Sequence, residues 1–84
     1  MTAAPTLPSH RLSVVVPLYN EADNVAPLVE RVHAALADYG FPWELVLVDD
    51  GSSDETADRA AAAARQYGRH VRLVELTRNF KQTA

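Results

Sequence analysis

Residues 45–56 read LVLVDDGSSDET: four apolar residues run into two adjacent carboxylates, Asp49 and Asp50, followed by a glycine and two serines. The apolar part has the length and β-branched content of a strand buried on both faces, as in a parallel sheet covered by helices. In open α/β sheets ligands bind beyond the carboxyl ends of the strands, which is where the two aspartates fall. The plainer reading makes them polar turn residues on the way to a helix, since acidic residues are common in such turns. A second polar stretch, PLYNEADN at 17–24, follows another β-branched run, LSVVVP at 12–17, and belongs to the same rim. Pro17, Tyr19, Asn20 and Glu21 on one side, with Asp49, Asp50 and Ser52 on the other, form an acidic and amide-rich lip.

Such a lip offers acceptors. Neither G-x-G-x-x-G nor G-x-x-x-x-G-K-[ST] occurs, so a phosphate cradle and a dinucleotide site lose their main support. Acceptors suit the N–H groups of a base, ribose hydroxyls, or a divalent cation that carries the phosphates itself. Tyr19 can stack or hydrogen-bond there, or simply cover the end of the sheet.

The elements that must position this lip follow from periodicity. Strand one is 12–17, with Pro17 at its end because it has no N–H to give. Val25, Leu28, Val29, Val32 and Leu36 then fall on one helical stripe. Pro27 is tolerated in a first turn, which points to Asn24 as the N-cap. His33 lies off the stripe and reads as a solvated surface residue rather than a ligand. Gly40 and Pro42 stop the helix, and Phe41 and Trp43 lead into strand two, packing under the first helix. Ser52 and Glu55 match a capping box, and the alanine-rich 54–66 forms a second helix with Ala57, Ala60, Ala61 and Ala64 inward. Residues 70–76, HVRLVEL, supply a third strand toward a sheet edge. Strand, helix, strand, helix, strand implies right-handed crossovers: an α/β fold with a Rossmann-like parallel sheet. Residues 1–10, with Pro5 and Pro8, read as a disordered lead-in.

Composition narrows the options. The 84 residues carry eight Lys and Arg against eleven Asp and Glu, a net charge of −3, which argues against a sequence-independent nucleic-acid binder. No cysteine is present, so disulfides and thiolate metal sites are excluded. No stretch approaches the about 20 apolar residues of a membrane span, and the first residues lack the pattern of a signal peptide, so a cytoplasmic location is expected.

VVVPLYNEADNV, then LVLVDDGSSDET, then LTRNFKQTA strongly resembles the N-terminal part of family 2 glycosyltransferases with the GT-A fold. The likeness spans 12–84 and is nearest the branch that passes a sugar from a nucleotide-sugar to a polyprenyl phosphate, the dolichyl-phosphate mannose synthase and bactoprenol glucosyltransferase type. The resemblance implies that 11–84 is the nucleotide-binding part of a larger domain, incomplete at its C-terminus. It implies that Pro17, Tyr19 and Glu21 meet the base and ribose, that Asp49 accepts from the base, and that Asp50 lies near the ribose or supports the loop. Arg78 and Asn79 match the branch's Arg-Asn-Phe, on the phosphate side of the cleft; Lys81 stands where that branch usually has glycine. A divalent cation, Mg²⁺ or Mn²⁺, is expected, bound mainly by residues beyond this stretch, as are the catalytic carboxylate and any membrane helices. The implied partners are a nucleotide-sugar donor and a polyprenyl-phosphate or glycan acceptor, at the cytoplasmic face of a membrane, with no nucleic acid. Two alternatives remain: a truncated, non-catalytic nucleotide-binding fragment, and a receiver-like signalling module. The receiver needs its acidic pair after the first strand, whereas here the pair follows the second.

Overall fold

The structure is a computed structural model that describes residues 12–76. Its elements are β1 (Leu12–Leu18), α1 (Ala22–Ala35), β2 (Trp43–Asp49), α2 (Thr56–Tyr67) and β3 (Val71–Glu75). The three strands are parallel in the order β1-β2-β3, so the strand that ends in Asp49 is the central one.

The burial pattern explains the layering. Along β1 the residues alternate, with Val14, Val16 and Leu18 turned inward and Ser13, Val15 and Pro17 exposed. Val25 and Val29 of α1 join Ala60 and Ala63 of α2, and these pack with Leu18, Leu45, Leu47 and Val71 into one buried core. Both helices therefore lie on the same face of the sheet. The pairing register puts Val15, Val46 and Val74 on the opposite face, beside a polar row in which Glu44 accepts from Ser13 Oγ at 2.6 Å and from Arg72 at 3.2 Å. Strand β2 is thus deeply buried on one side, through Leu45 and Leu47, and half-buried on the other, through Val46 and Val48. The expectation of two covered faces is met on one.

Several boundaries move, each for a physical reason. β1 continues one residue past Pro17, which pairs with Val48. Leu18 O accepts from Asp50 N–H at 2.9 Å, so Leu18 turns its polar groups toward β2 and Pro17 turns its nitrogen to the outer edge, where no ladder bond is lost. Helix α1 begins at Ala22, with Glu21 rather than Asn24 as N-cap, and Pro27 lies inside it. The early start is possible because the first amides are satisfied from another loop, described below. α1 ends at Ala35, earlier than Gly40, and the chain turns through 36–38; Gly40 does adopt the left-handed conformation, at φ 84°.

Helix α2 starts at Thr56, and its buried residues are Thr56, Ala60 and Ala63, so the inward stripe is rotated from the expected one. A run of five alanines looks alike from every side and cannot indicate which face is covered. Trp43 packs as expected against α1, but Phe41 is 52% exposed and meets Tyr39 edge-on. His33 is not a solvated surface residue: it is half-buried between Trp43, Tyr67 and His70. Among the described residues no helix is long and apolar enough to cross a membrane. The lead-in 1–10, together with Arg78, Asn79, Phe80 and Lys81, lies outside the described residues.

Among the described residues, the sheet face opposite the helices leaves Val15 59% exposed, which is an association hazard. The 84 residues expressed alone should be poorly soluble, or run as an oligomeric or molten species in size-exclusion and thermal-melt experiments. A cooperative melt from a monomer would contradict this.

Candidate functional site

The rim is built around the end of β2. Asp50 N–H donates to Leu18 O of β1 at 2.9 Å, and Leu76 N–H, just past β3, donates to Asp49 O at 2.8 Å. The backbone of the two aspartates is therefore tied to both neighbouring strands. Asp49 follows Leu45 and Leu47 onto the helix-covered face and is only 4% exposed. A carboxylate so buried is costly unless hydrogen-bonded. Ser52 meets that need: its Oγ donates to Oδ1 at 2.5 Å and its N–H to Oδ2 at 3.3 Å. A carboxylate has about four lone-pair sites, so Asp49 keeps accepting capacity. Asp50 alternates away from Asp49 and is half-buried.

The loop after β1 is fastened to the loop after β2. Asn20 N–H donates to Ser52 Oγ at 2.8 Å, and Asn20 Oδ1 accepts from Ser53 N–H at 2.8 Å. Glu21 N–H donates to Thr56 Oγ1 at 2.8 Å. Ala22 N–H, at the start of α1, reaches Asp54 Oδ2 at 3.4 Å. Asp54 Oδ1 in turn accepts from Thr56 N–H at 2.9 Å and from the Thr56 hydroxyl. The first amides of a helix have no partner within it; here the β2–α2 loop supplies acceptors that neither helix's own N-cap residue provides. Asn20 sits at φ 50°, a left-handed conformation that asparagine tolerates better than most residues, and this aims its amide oxygen across the gap.

This arrangement replaces the expected capping box. Ser52 does not cap α2, whose N-cap is Glu55 without a side-chain bond, because Ser52 is committed to Asn20 and Asp49. Sequence reasoning placed Asn20 and Ser52 at the rim but missed Ser53, Asp54 and Thr56. The available signal was a surplus: GSSDET holds more short acceptors than one cap requires. The hydrogen bond from the Thr56 hydroxyl leads the causes that lower the Asp54 pKa from 3.8; desolvation opposes it, and the Thr56 and Ala22 amides add to it.

Of the remaining predicted residues, Tyr19 is 51% exposed at the rim, and Pro17 and Glu21 are exposed beside it. The rim thus unites Pro17, Tyr19, Asn20, Glu21, Asp49, Asp50 and Ser52. Arg78 and Asn79 lie outside the described residues. Among the described residues no three His, Cys, Asp or Glu side chains gather as a metal cluster.

Comparison with known proteins decides the family. The family described as Glycosyl transferase family 2 matches residues 13–84. The chain belongs to glycosyltransferase family 2. Among its relatives, the dodecaprenyl-phosphate galacturonate synthase of Rhizobium johnstonii is 54% identical over 76 residues, covering 90% of this chain and 22% of that protein. The undecaprenyl-phosphate 4-deoxy-4-formamido-L-arabinose transferase of Pectobacterium carotovorum is 46% identical over 71 residues, covering 84% and 22%. The fold is similar to the crystal structure of glucosyl-3-phosphoglycerate synthase from Mycobacterium tuberculosis in complex with UDP, with TM-score 0.59 and 31% identity over 80% of this chain and 21% of that one. The same synthase was also crystallised with Mn²⁺, UDP and glucosyl-3-phosphoglycerate. The chain thus spans about a fifth of the length of these proteins.

Thr56 is fully buried, and its hydroxyl both accepts from one loop and donates to the other. In the full-length family member, Thr56→Val keeps the volume but strands the Glu21 amide, at a cost of about 1–3 kcal/mol in denaturant unfolding. Thr56→Ser should retain most of the stability. The lowered Asp54 pKa means its carboxylate supports the folded state above pH 3.8 and loses that effect as pH falls below it, so an acid titration of Asp54→Asn should lack this step.

Proposed function

We propose that the chain is the donor-nucleotide half of an inverting glycosyltransferase that moves a sugar from a UDP- or GDP-sugar to an acceptor, a polyprenyl phosphate. The observation that carries this reading is the lip itself: two loops at the ends of adjacent parallel strands, hydrogen-bonded into one surface and lined with acceptors around the buried Asp49. Family membership supports a glycosyl donor, the names of the relatives support a polyprenyl-phosphate acceptor, and the UDP bound by the structural neighbour supports a nucleoside diphosphate.

In this reading Asp49 accepts from an N–H of the base through its remaining lone pairs. Tyr19 and Pro17 flank the base, Glu21 and Asp50 face the ribose hydroxyls, and Asn20 and Ser52 hold the two loops at fixed separation. Arg78 and Asn79 complete the phosphate side. In this reading the transfer itself is performed by residues other than these. The acceptor oxygen attacks the anomeric carbon as the bond to the diphosphate breaks, and the nucleoside diphosphate departs with the electron pair. A divalent cation, Mg²⁺ or Mn²⁺, held mainly by other parts of the protein, would neutralise the charge of that leaving group. In this reading the full protein works at the cytoplasmic face of a membrane, where a polyprenyl-phosphate acceptor would be met.

Calorimetry on the full-length protein with UDP and with GDP, with and without Mn²⁺, tests the reading. One of the two should bind, and Asp49→Asn, which keeps the side-chain volume, should weaken it about tenfold, the equivalent of one lost hydrogen bond to a charged acceptor. Unchanged affinity and turnover in that variant would refute the assignment of Asp49.

A further inference from the structure

At the end of the sheet opposite the rim, two imidazoles meet. His33 lies in the last turn of α1 and His70 immediately precedes β3, and their Nε2 atoms are 2.8 Å apart. His33 Nδ1 lies 2.8 Å from Val29 O. A carbonyl can only accept, so Nδ1 of His33 carries a hydrogen. Trp43, the first residue of β2, sets its ring edge-on to both imidazoles, with centroids 5.0 and 4.9 Å away. Tyr67, the last residue of α2, stacks on His33 at 4.1 Å and 24°. His70 also anchors β3 to β2, since its carbonyl accepts from Leu45 N–H at 2.6 Å. Both helices and two strands therefore converge on this pair.

The contact can hold one hydrogen between the two Nε2 atoms. In the neutral pair, His33 already has its hydrogen on Nδ1, so His70 Nε2–H donates to the His33 lone pair. With one added proton a single N–H···N bond survives, since one ring still presents a lone pair. With two, both Nε2 atoms carry hydrogens, no acceptor remains, and two cations face each other at hydrogen-bonding distance. We propose that His33 and His70 form a one-proton clasp that holds α1 to the start of β3 and opens when a second proton arrives.

Among the described residues, the groups in contact with the pair carry no negative charge to rescue the doubly charged state. α1 presents the Val29 carbonyl, β2 the Trp43 ring and α2 the Tyr67 phenol ring. Beside His70 in the chain stands the exposed Arg69, and Arg72 is paired with Glu44 at 3.2 Å. Burial first, and then the charge of His33, hold the His70 imidazole below the ordinary value of 6.5. The sign follows: below pH 6.5 the unfolded chain binds more protons than the folded one, so stability is fully present above that pH and is lost as the pH falls through and below it.

Thermal denaturation of the full-length protein from pH 8 to pH 5, with parallel NMR titration of the imidazole resonances, tests the clasp. Wild type should lose melting temperature below pH 6.5, and that component should vanish in both His33→Gln and His70→Gln. The NMR titration should show the pair protonating in two separated steps. If the two imidazoles titrate independently near 6.5, or if the acid slope is the same in wild type and both variants, the clasp is wrong. The wild-type titration decides the question even where a variant fails to fold.

Discussion

Among the described residues, the amide hydrogens of Asn20, Glu21 and Ala22 find their acceptors across the gap, in Ser52, Thr56 and Asp54. A helix start needs partners for its first N–H groups, and this chain recruits them from the next loop rather than from its own N-cap. One set of bonds thereby does two things. It lets α1 begin immediately after β1, with only Tyr19, Asn20 and Glu21 between them, and it joins both rim loops into a single surface. The Asp54 carboxylate, held by Thr56 and Ala22, is the junction of that network, while Ser52 ties the same network to the buried Asp49.

Beneath the rim the packing is simple. Alternation along the strands sends Leu18, Leu45, Leu47 and Val71 toward Val25, Val29, Ala60 and Ala63. The small alanines of α2 let that helix lie close to the sheet, and the central position of β2 allows its end to be bonded from both sides. Asp49 can be buried because the strand that carries it cannot shift, and Ser52 offsets part of the desolvation. The opposite end is closed by aromatic rings around His33 and His70, so the two ends of the sheet are held by different chemistry: acceptors for amides at the rim, shared hydrogen and ring stacking at the base.

Much of this was legible in the sequence. β-Branched runs and the stripe of Val25, Leu28, Val29 and Val32 gave the element order and the parallel sheet, and the positions of the polar breaks placed Asp49 and the 17–21 loop on one rim. The family followed from the paired motifs. What was not legible depended on contacts between segments far apart in the chain. Thr56 and Asp54 are indistinguishable from ordinary helix-start residues until the β1–α1 loop is brought against them, and a local capping rule made Ser52 a helix cap where it instead joins Asn20 to Asp49. The covered face of α2 could not be read because consecutive alanines carry no directional signal. His33 looked solvated because its partner, His70, is brought to it only when β3 takes its place beside β2.

The central claim is that the two hydrogen-bonded rim loops together form the nucleotide-binding surface. A crystal structure of the full-length protein with whichever of UDP and GDP it binds tests it most directly. The account predicts the base seated between Tyr19 and Asp49, with Asn20 still bonded to Ser52 and Glu21 to Thr56. A nucleotide bound away from these loops, or bound between loops that have separated, would contradict it.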